Sequence, residues 1–174
     1  MRKVGVHDHL LSAEEARRAL SYDSDTGDIV WKEPSSSRLK PGDSAGSVRA
    51  DGYRKIRVNY HSYYAHRLAW LLYYGEWPEH DIDHVNHDPS DNRISNLRDV
   101  TNAENHKNLP KFSCNTSGIP GLSRSYNGVW RGRVYVNRKL HHSGSHVCLG
   151  RAVKSLSEVR AKLGFHQNHG QLAA

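Results

Sequence analysis

The sequence predicts an α+β fold in two small lobes, and three observations carry that prediction. Capping boxes at Ser12-Ala13-Glu14-Glu15 and Thr101-Asn102-Ala103-Glu104 mark helix starts. Short apolar runs bounded by turn dipeptides such as Asp51-Gly52 and Asn127-Gly128 mark strands of a few residues joined by hairpins. A length of 174 residues with 36% hydrophobic content leaves room for one ordinary domain or two lobes, each near the size at which a core alone is marginal.

Each element has its own signal. From Ser12 a short helix runs to about Leu20, and Tyr22 to Trp31 reads as a hairpin around Asp25-Thr26-Gly27. Pro34 through Gly46, with Ser35-Ser36-Ser37 and Pro41-Gly42, is loop; after Asp51-Gly52, the residues Tyr53, Ile56 and Val58 mark a strand. Tyr64 to Tyr74 carries Ala65, Leu68, Ala69 and Leu72 at helical spacing, with Gly75 as the stop and Pro78 beyond, and is the central core helix of the first lobe. A strand ends in Asp83-His84, opening into the polar loop Asn86 to Asn92. Thr101 then caps a helix that includes Asn105 in its first turn and ends near Pro110. Phe112 to Ser117 reads as a linker. Beyond it Gly118 to Ser123, Val129 to Val136 and Lys139 to Ser143 read as three strands of an antiparallel sheet, turned at Asn127-Gly128 and Asn137-Arg138. Ser155-Leu156-Ser157-Glu158 opens a last helix that Gly164 closes. The expected organisation is thus a first lobe over 1–111, a linker over 112–117 and a second lobe over 118–174, with no internal repeat.

Charge separates the lobes. The net charge is +7 and the mean hydropathy −0.79. Residues 1–105 hold 14 Lys/Arg against 17 Asp/Glu, a net −3, whereas residues 106–174 hold 11 against Glu158 alone, a net +10. The C-terminal third is built for a polyanion. Alternation along Trp130-Arg131-Gly132-Arg133-Val134-Tyr135-Val136 puts Arg131, Arg133 and Tyr135 on one face and Trp130, Val134 and Val136 on the other. Strands enter a major groove, where Arg forks onto guanine, while other cations hold phosphates; Arg124, Arg138 and Lys139 are the natural companions. The bland alternative is a basic sheet that grips any nucleic acid.

Several classes are excluded. No apolar run approaches the roughly 18 residues of a membrane span. Met1 to His7 lacks the apolar core of a signal peptide, so a cytoplasmic location is expected. The two cysteines, Cys114 and Cys148, form no C-x-x-C pair, which argues against a zinc ribbon or a disulfide framework. The 13 histidines are scattered, and the best leftover cluster, His141-His142 with His146, is not read as a metal site.

The chemistry concentrates in Ile82-Asp83-His84-Val85-Asn86, Asp91-Asn92-Arg93-Ile94-Ser95-Asn96-Leu97-Arg98 and Asn102-Ala103-Glu104-Asn105. Hydrolysing a phosphodiester needs a Lewis acid on the phosphate and leaving oxygens and a base for the attacking water. Asp83 supplies one oxygen ligand and Asn105 a second, a set suited to Mg²⁺ or a similar divalent ion such as Mn²⁺. Neighbours in a strand point to opposite faces, so a bend is expected at Asp83-His84.

The runs Tyr22-Asp23-Ser24-Asp25-Thr26-Gly27, Gly52-Tyr53-Arg54-Lys55-Ile56-Arg57-Val58, His66-Arg67-Leu68-Ala69-Trp70, Ile82-Asp83-His84 and Asn92 to Thr101 together resemble phage HNH endonucleases of the homing type, over about residues 15–110. The resemblance implies a ββα-metal fold with His84 as general base, Asp83 and Asn105 as metal ligands, and Asn96 steadying the loop and the base. It implies cleavage of double-stranded DNA to 5′-phosphate and 3′-hydroxyl ends in a phage-infected bacterial host, by a monomer or homodimer. His66 is expected either to be a core histidine or to contact DNA or support the site. His87 stands where that family usually has glycine, and Asp99 where many relatives carry a large residue. Residues 115–164, with Asn115-Thr116-Ser117-Gly118-Ile119-Pro120-Gly121-Leu122 and Gly128 to Val134, resemble Apetala/ethylene-response-factor DNA-binding domains. Their usual Leu-Gly-aromatic run is replaced here by Ser143 to Gly150. The rival readings are a non-catalytic DNA-binding regulator, a nonspecific nuclease and an RNA-directed nuclease.

Overall fold

The first capping box closes as its sequence dictates. In the computed structural model, which describes residues 8–108, 115 and 117–170, the Glu15 amide donates to Ser12 Oγ (3.2 Å) and the Ser12 amide to Glu15 Oε2 (2.9 Å). These bonds satisfy orphan donors at the start of α1 (Ala13–Ala19), which buries Ala16. The chain continues into β1 (Leu20–Tyr22) and β2 (Ile29–Trp31), an antiparallel hairpin turned at Gly27 with φ +81°. Next, β3 (Ser47–Val48), β4 (Arg54–Val58) and β5 (His61–Tyr64) form an antiparallel sheet in the order β3-β4-β5.

α2 (Ala65–Tyr74) follows β5 without a loop and buries Ala65, His66, Arg67, Leu68, Ala69, Leu71 and Leu72. Gly75 ends it in the left-handed region (φ +85°), its amide closing on the Leu71 carbonyl (2.9 Å). Around α2 the core gathers Leu11, Leu20, Ile29, Ile56 and Leu71, each at most 2% exposed. Burying side chains of this size contributes about 1.5–3 kcal/mol apiece, so this core fixes what packs on it. β6 (Asp81–His84) and β7 (Leu97–Val100) pair antiparallel, with His84 opposite Leu97 and Asp83 opposite Arg98. The second capping box forms at Thr101 and Glu104 and opens α3 (Asn102–Asn105), which lies against β6 and β7 and continues as one 3-10 turn, His106–Asn108. Pro110, the expected helix end, lies outside the described residues.

The chain divides into two compact units, Met1–Asn105 and His106–Ala173. This division falls earlier than the expected lobe boundary at 111, because His106–Asn108 goes with the second unit, where the His166 amide donates to the Lys107 carbonyl (3.2 Å). Of the expected linker only Asn115 and Ser117 are described.

In the second unit β8 (Leu122–Arg124), β9 (Trp130–Val136) and β10 (Lys139–His146) form an antiparallel sheet in the order β10-β9-β8, covered on one face by α4 (Leu149–Lys162). Leu122, Val134, Ala152 and Leu156 are its buried core. Gly132 allows the close packing, since a Cβ there would lie 1.9 Å from Ser143 Oγ and 3.3 Å from Leu156 Cδ1.

Three expected boundaries are corrected. The strand expected from Gly118 begins at Leu122, because Gly118 and Gly121 take positive φ and the Leu122 amide turns back to the Ile119 carbonyl (3.1 Å). The strand expected to end at Ser143 continues to His146 through a register shift between His142 and Ser145. The helix expected from Ser155 begins at Leu149, since the packing stripe Ala152, Leu156, Val159 and Leu163 needs a turn before Ser155. Ser155 instead donates its hydroxyl to the Ser143 carbonyl, tying the helix to β10. No helix among the described residues is long and apolar enough to cross a membrane.

Gly27 shows how the first hairpin is fitted to the rest. A Cβ there would lie 2.6 Å from Arg93 N and 2.7 Å from Asn92 C, on a backbone that side chains already disfavour. Gly27→Ala is therefore expected to lower stability by about 2 kcal/mol or more in urea unfolding; an unchanged midpoint would show that the hairpin does not bear on that backbone.

Candidate active site

The loop joining β6 to β7 is closed by one side chain. Asn96 accepts from the Asn86 amide at Oδ1 (3.0 Å) and donates from Nδ2 to the Asp91 carbonyl (2.9 Å), while its carbonyl takes the Val85 amide (2.9 Å). Asn86 Nδ2 donates to Asp91 Oδ2 (2.8 Å), and Arg93 grips the same carboxylate from Nε to Oδ1 (2.8 Å) and from Nη2 to Oδ2 (2.6 Å). The Arg93 hydrogen bonds, ahead of the others, hold the Asp91 carboxyl below the usual carboxylate range. His87 sits in this loop at φ +66°, a left-handed conformation costing a residue with a side chain roughly 1–2 kcal/mol. The turn thus keeps a backbone suited to glycine although the residue is histidine.

His84, at the end of β6, is 5% exposed. Its Nε2 meets Asn92 Oδ1 at 3.4 Å, and its ring packs edge-on against His66 (5.2 Å between centroids) and Tyr53 (5.9 Å). Burial lowers its pKa below the usual histidine value, while the Asn92 hydrogen bond and the carboxylates of Asp83, Asp88 and Asp91 act the other way. The imidazole is therefore neutral at neutral pH, the form that accepts a proton.

Asp83 needs no bend to part from His84: burial alternates along β6, and Asp83 turns to the face shared with its cross-strand partner. There Arg98 donates to Asp83 Oδ2 from Nε (2.8 Å) and Nη2 (2.6 Å). The half-buried Asn105 ends α3, the short helix lying against β6. Among the described residues no group of three or more His, Cys, Asp or Glu gathers as a metal cluster, the His141, His142 and His146 region included.

A family model for HNH endonucleases matches residues 63–107, from the end of β5 through α3. Protein 3.8 of Escherichia phage T7 is 32% identical over 124 residues, which is 68% of this chain and 98% of that relative. The chain belongs to the HNH endonuclease family. No solved structure matches it significantly.

The HNH segment holds all four residues expected to do the chemistry, and the geometry redistributes their supports. Asn96 clamps the loop through the bonds above, whereas the amide meeting the His84 ring is that of Asn92, to which the sequence reading gave no role. Arg98 on Asp83 was also missed, although it lies directly across the hairpin and is legible once the register is known. Of the alternatives expected for His66, a core histidine or a residue that contacts DNA or supports the site, the geometry is that of a core histidine: it is 7% exposed, stacked on Tyr64 (5.4 Å, 18°) and set edge-on to Tyr53 and His84, so it packs behind the candidate base. Asp99, another departure from the family pattern, accepts from the Glu79 amide (2.8 Å) and the His80 amide (2.9 Å) and so fixes the entry to β6.

In the second unit, beyond the HNH match, Arg124, Arg131, Arg133, Tyr135, Arg138 and Lys139 are all exposed. Arg131, Arg133 and Tyr135 share the β9 face opposite Val134, and Arg124 lies over the Trp130 ring (5.8 Å). The register shift in β10 opens a cavity of about 300 Å³ lined by Arg131, Arg133, His142, Gly144 and Ser145.

His66 gives the HNH lobe a pH signature. Burial first, then the nearby His84 and Arg67, push its pKa well below the ordinary 6.5. Below about pH 6.5 the unfolded chain takes up a proton that the folded chain refuses, so stability rises with pH through this range and is lost as pH falls. The urea midpoint is expected to drop between about pH 7.5 and 5.5, less steeply in His66→Phe than in the parent; equal slopes would contradict a buried neutral His66.

Proposed function

We propose that this HNH protein is a metal-dependent endonuclease that hydrolyses phosphodiester bonds of double-stranded DNA, leaving 5′-phosphate and 3′-hydroxyl ends. The observation that carries the reading is a neutral imidazole, His84, held at the end of β6 against Asn92 and beside a loop locked by Asn96, within the segment that matches the HNH family; Asp83 and Asn105 are proposed as the oxygen donors. With Nε2–H directed at Asn92 Oδ1, the lone pair of the neutral tautomer lies on Nδ1, which takes the proton of the attacking water. His66 and Tyr53 fix the ring plane, and burial keeps the base uncharged until it acts.

A hard divalent ion fits the donors present: a carboxylate and an amide oxygen suit Mg²⁺ or Mn²⁺ better than a softer metal. When bound, the ion would polarise the phosphate and stabilise the leaving oxygen. Arg98 already holds Asp83 Oδ2, so it orients that carboxylate and sets a positive charge at the edge of the phosphate site.

The second unit is proposed to select and hold the DNA. Its net charge and exposed arginine face favour a polyanion-binding lobe, for which an Apetala-like mode is proposed, with Arg131, Arg133 and Tyr135 facing the groove and Arg124, Arg138 and Lys139 meeting phosphates. This lobe makes cleavage site-specific, in the manner of a homing enzyme, in the cytoplasm of a phage-infected cell. One centre per chain cuts one strand, so a double-strand break takes two chains or two encounters.

His84→Ala is expected to reduce cleavage by at least about 100-fold while leaving duplex binding within about twofold; near-normal cleavage by the pure variant would sink the assignment. Replacing Arg131 and Arg133 by Ala is expected to weaken duplex binding and flatten its salt dependence, because each phosphate contact contributes to the slope of affinity against salt. A double variant with the parent's salt titration would refute that face.

A further inference from the structure

From the fold, we propose that the β4–β5 hairpin of the nuclease lobe is a second DNA contact, with Tyr60 at its tip as an aromatic wedge against the bases. Val58 pairs with His61, so Asn59 and Tyr60 alone make the turn. Both have positive φ, 48° and 66°, the backbone of a two-residue hairpin turn whose second position ordinarily belongs to glycine. A bulky aromatic in that conformation is strained. Yet Tyr60 is 88% exposed, so it recovers little by burial in this lobe. Strain kept for so exposed a side chain, approached by the Arg57 guanidinium at 6.0 Å, is explained by a partner.

The surroundings say which partner. Arg57 donates from Nε to the Tyr60 carbonyl (3.4 Å), with its guanidinium 6.0 Å from the ring centre, and Lys55 Nζ stands 4.5 Å over the Tyr64 ring. Lys55 and Arg57 alternate with the buried Ile56 and Val58 and so share the outward face. Residues 49–64 carry Arg49, Arg54, Lys55 and Arg57 against Asp51 alone, in a lobe that is net −3. Cations beside the exposed Tyr60 and the half-buried Tyr64 fit a nucleic-acid backbone with bases to stack on, and a basic island in an acidic lobe marks where a polyanion sits.

The hairpin is also joined to the candidate centre. Tyr53 and Tyr64, at its open end, belong to the ring cluster around His66 and His84. The Val58–His61 pair lies three residues beyond the Lys55–Tyr64 pair, roughly 10 Å along the hairpin. The same turn recurs in the second unit, where Asn137 (φ 49°) and Arg138 (φ 63°) join Val136 to Lys139 and put an exposed arginine where glycine is easier.

This inference rests on the endonuclease reading for the identity of the partner. The test uses the full chain with chelator present, so that binding is read without cleavage, and a labelled duplex of mixed sequence as the probe. Tyr60→Gly is expected to unfold at higher urea than the parent and yet to bind the duplex about 5- to 20-fold more weakly, with Tyr60→Phe close to the parent. Gain of stability with loss of affinity is a pair of changes that a merely structural tyrosine cannot give. If the parent binds and Tyr60→Gly binds equally well, the wedge is overturned and the nuclease reading stands. If the parent itself binds no duplex, both fall.

Discussion

The side-chain amide of Asn96 is the interaction on which the site depends. By bonding to the Asn86 amide and the Asp91 carbonyl it closes the loop between β6 and β7, and with the loop closed Asn92 is carried to the His84 ring. Each bond contributes only about 1 kcal/mol, but they act on one short segment already pinned at both ends by strand pairing. The first hairpin braces the same segment from outside: Tyr22 donates its hydroxyl to the Asn92 carbonyl (2.8 Å), and the Ile94 amide donates to the Ser24 carbonyl (3.2 Å). The N-terminal elements thus serve the site although none of them supplies a chemical group.

Ring packing does the rest. His84, His66, Tyr53 and Tyr64 meet edge-on or stacked at centroid separations of 5.2–5.9 Å, an arrangement favourable to aromatic rings and hostile to charge. Burial lowers the proton affinity of both histidines, and for His66 the neighbouring His84 and Arg67 add to it. A histidine kept neutral in this way is able to serve as the proposed base at neutral pH.

Much of this was legible in the sequence because the signals are local. The capping boxes, the α2 stripe ending at Gly75, the Asn127-Gly128 and Asn137-Arg138 turns and the alternation of β9 depend on neighbours a few residues away, and the structure forms them all. What escaped depends on partners far along the chain. The β5 and β7 strands are short and carry polar residues that only sheet pairing explains. Arg98 is chosen by Asp83 through register, and Asn92 is brought to His84 by a loop whose closure lies elsewhere. His66 looked like a surface or core residue with equal justice, and only the packing of Tyr53, Tyr64 and His84 decides. The start of α4 was within reach, since Ala152 opens its apolar stripe, but the capping pattern at Ser155 drew attention away.

The chemistry proposed for this chain is hydrolysis by a neutral histidine with a divalent ion. Incubating the full chain with supercoiled plasmid, with Mg²⁺ or with chelator, tests it most directly. Conversion to nicked circles carrying 5′-phosphate ends is expected with Mg²⁺ and none with chelator; an intact plasmid in both, or equal nicking in both, would overturn that chemistry.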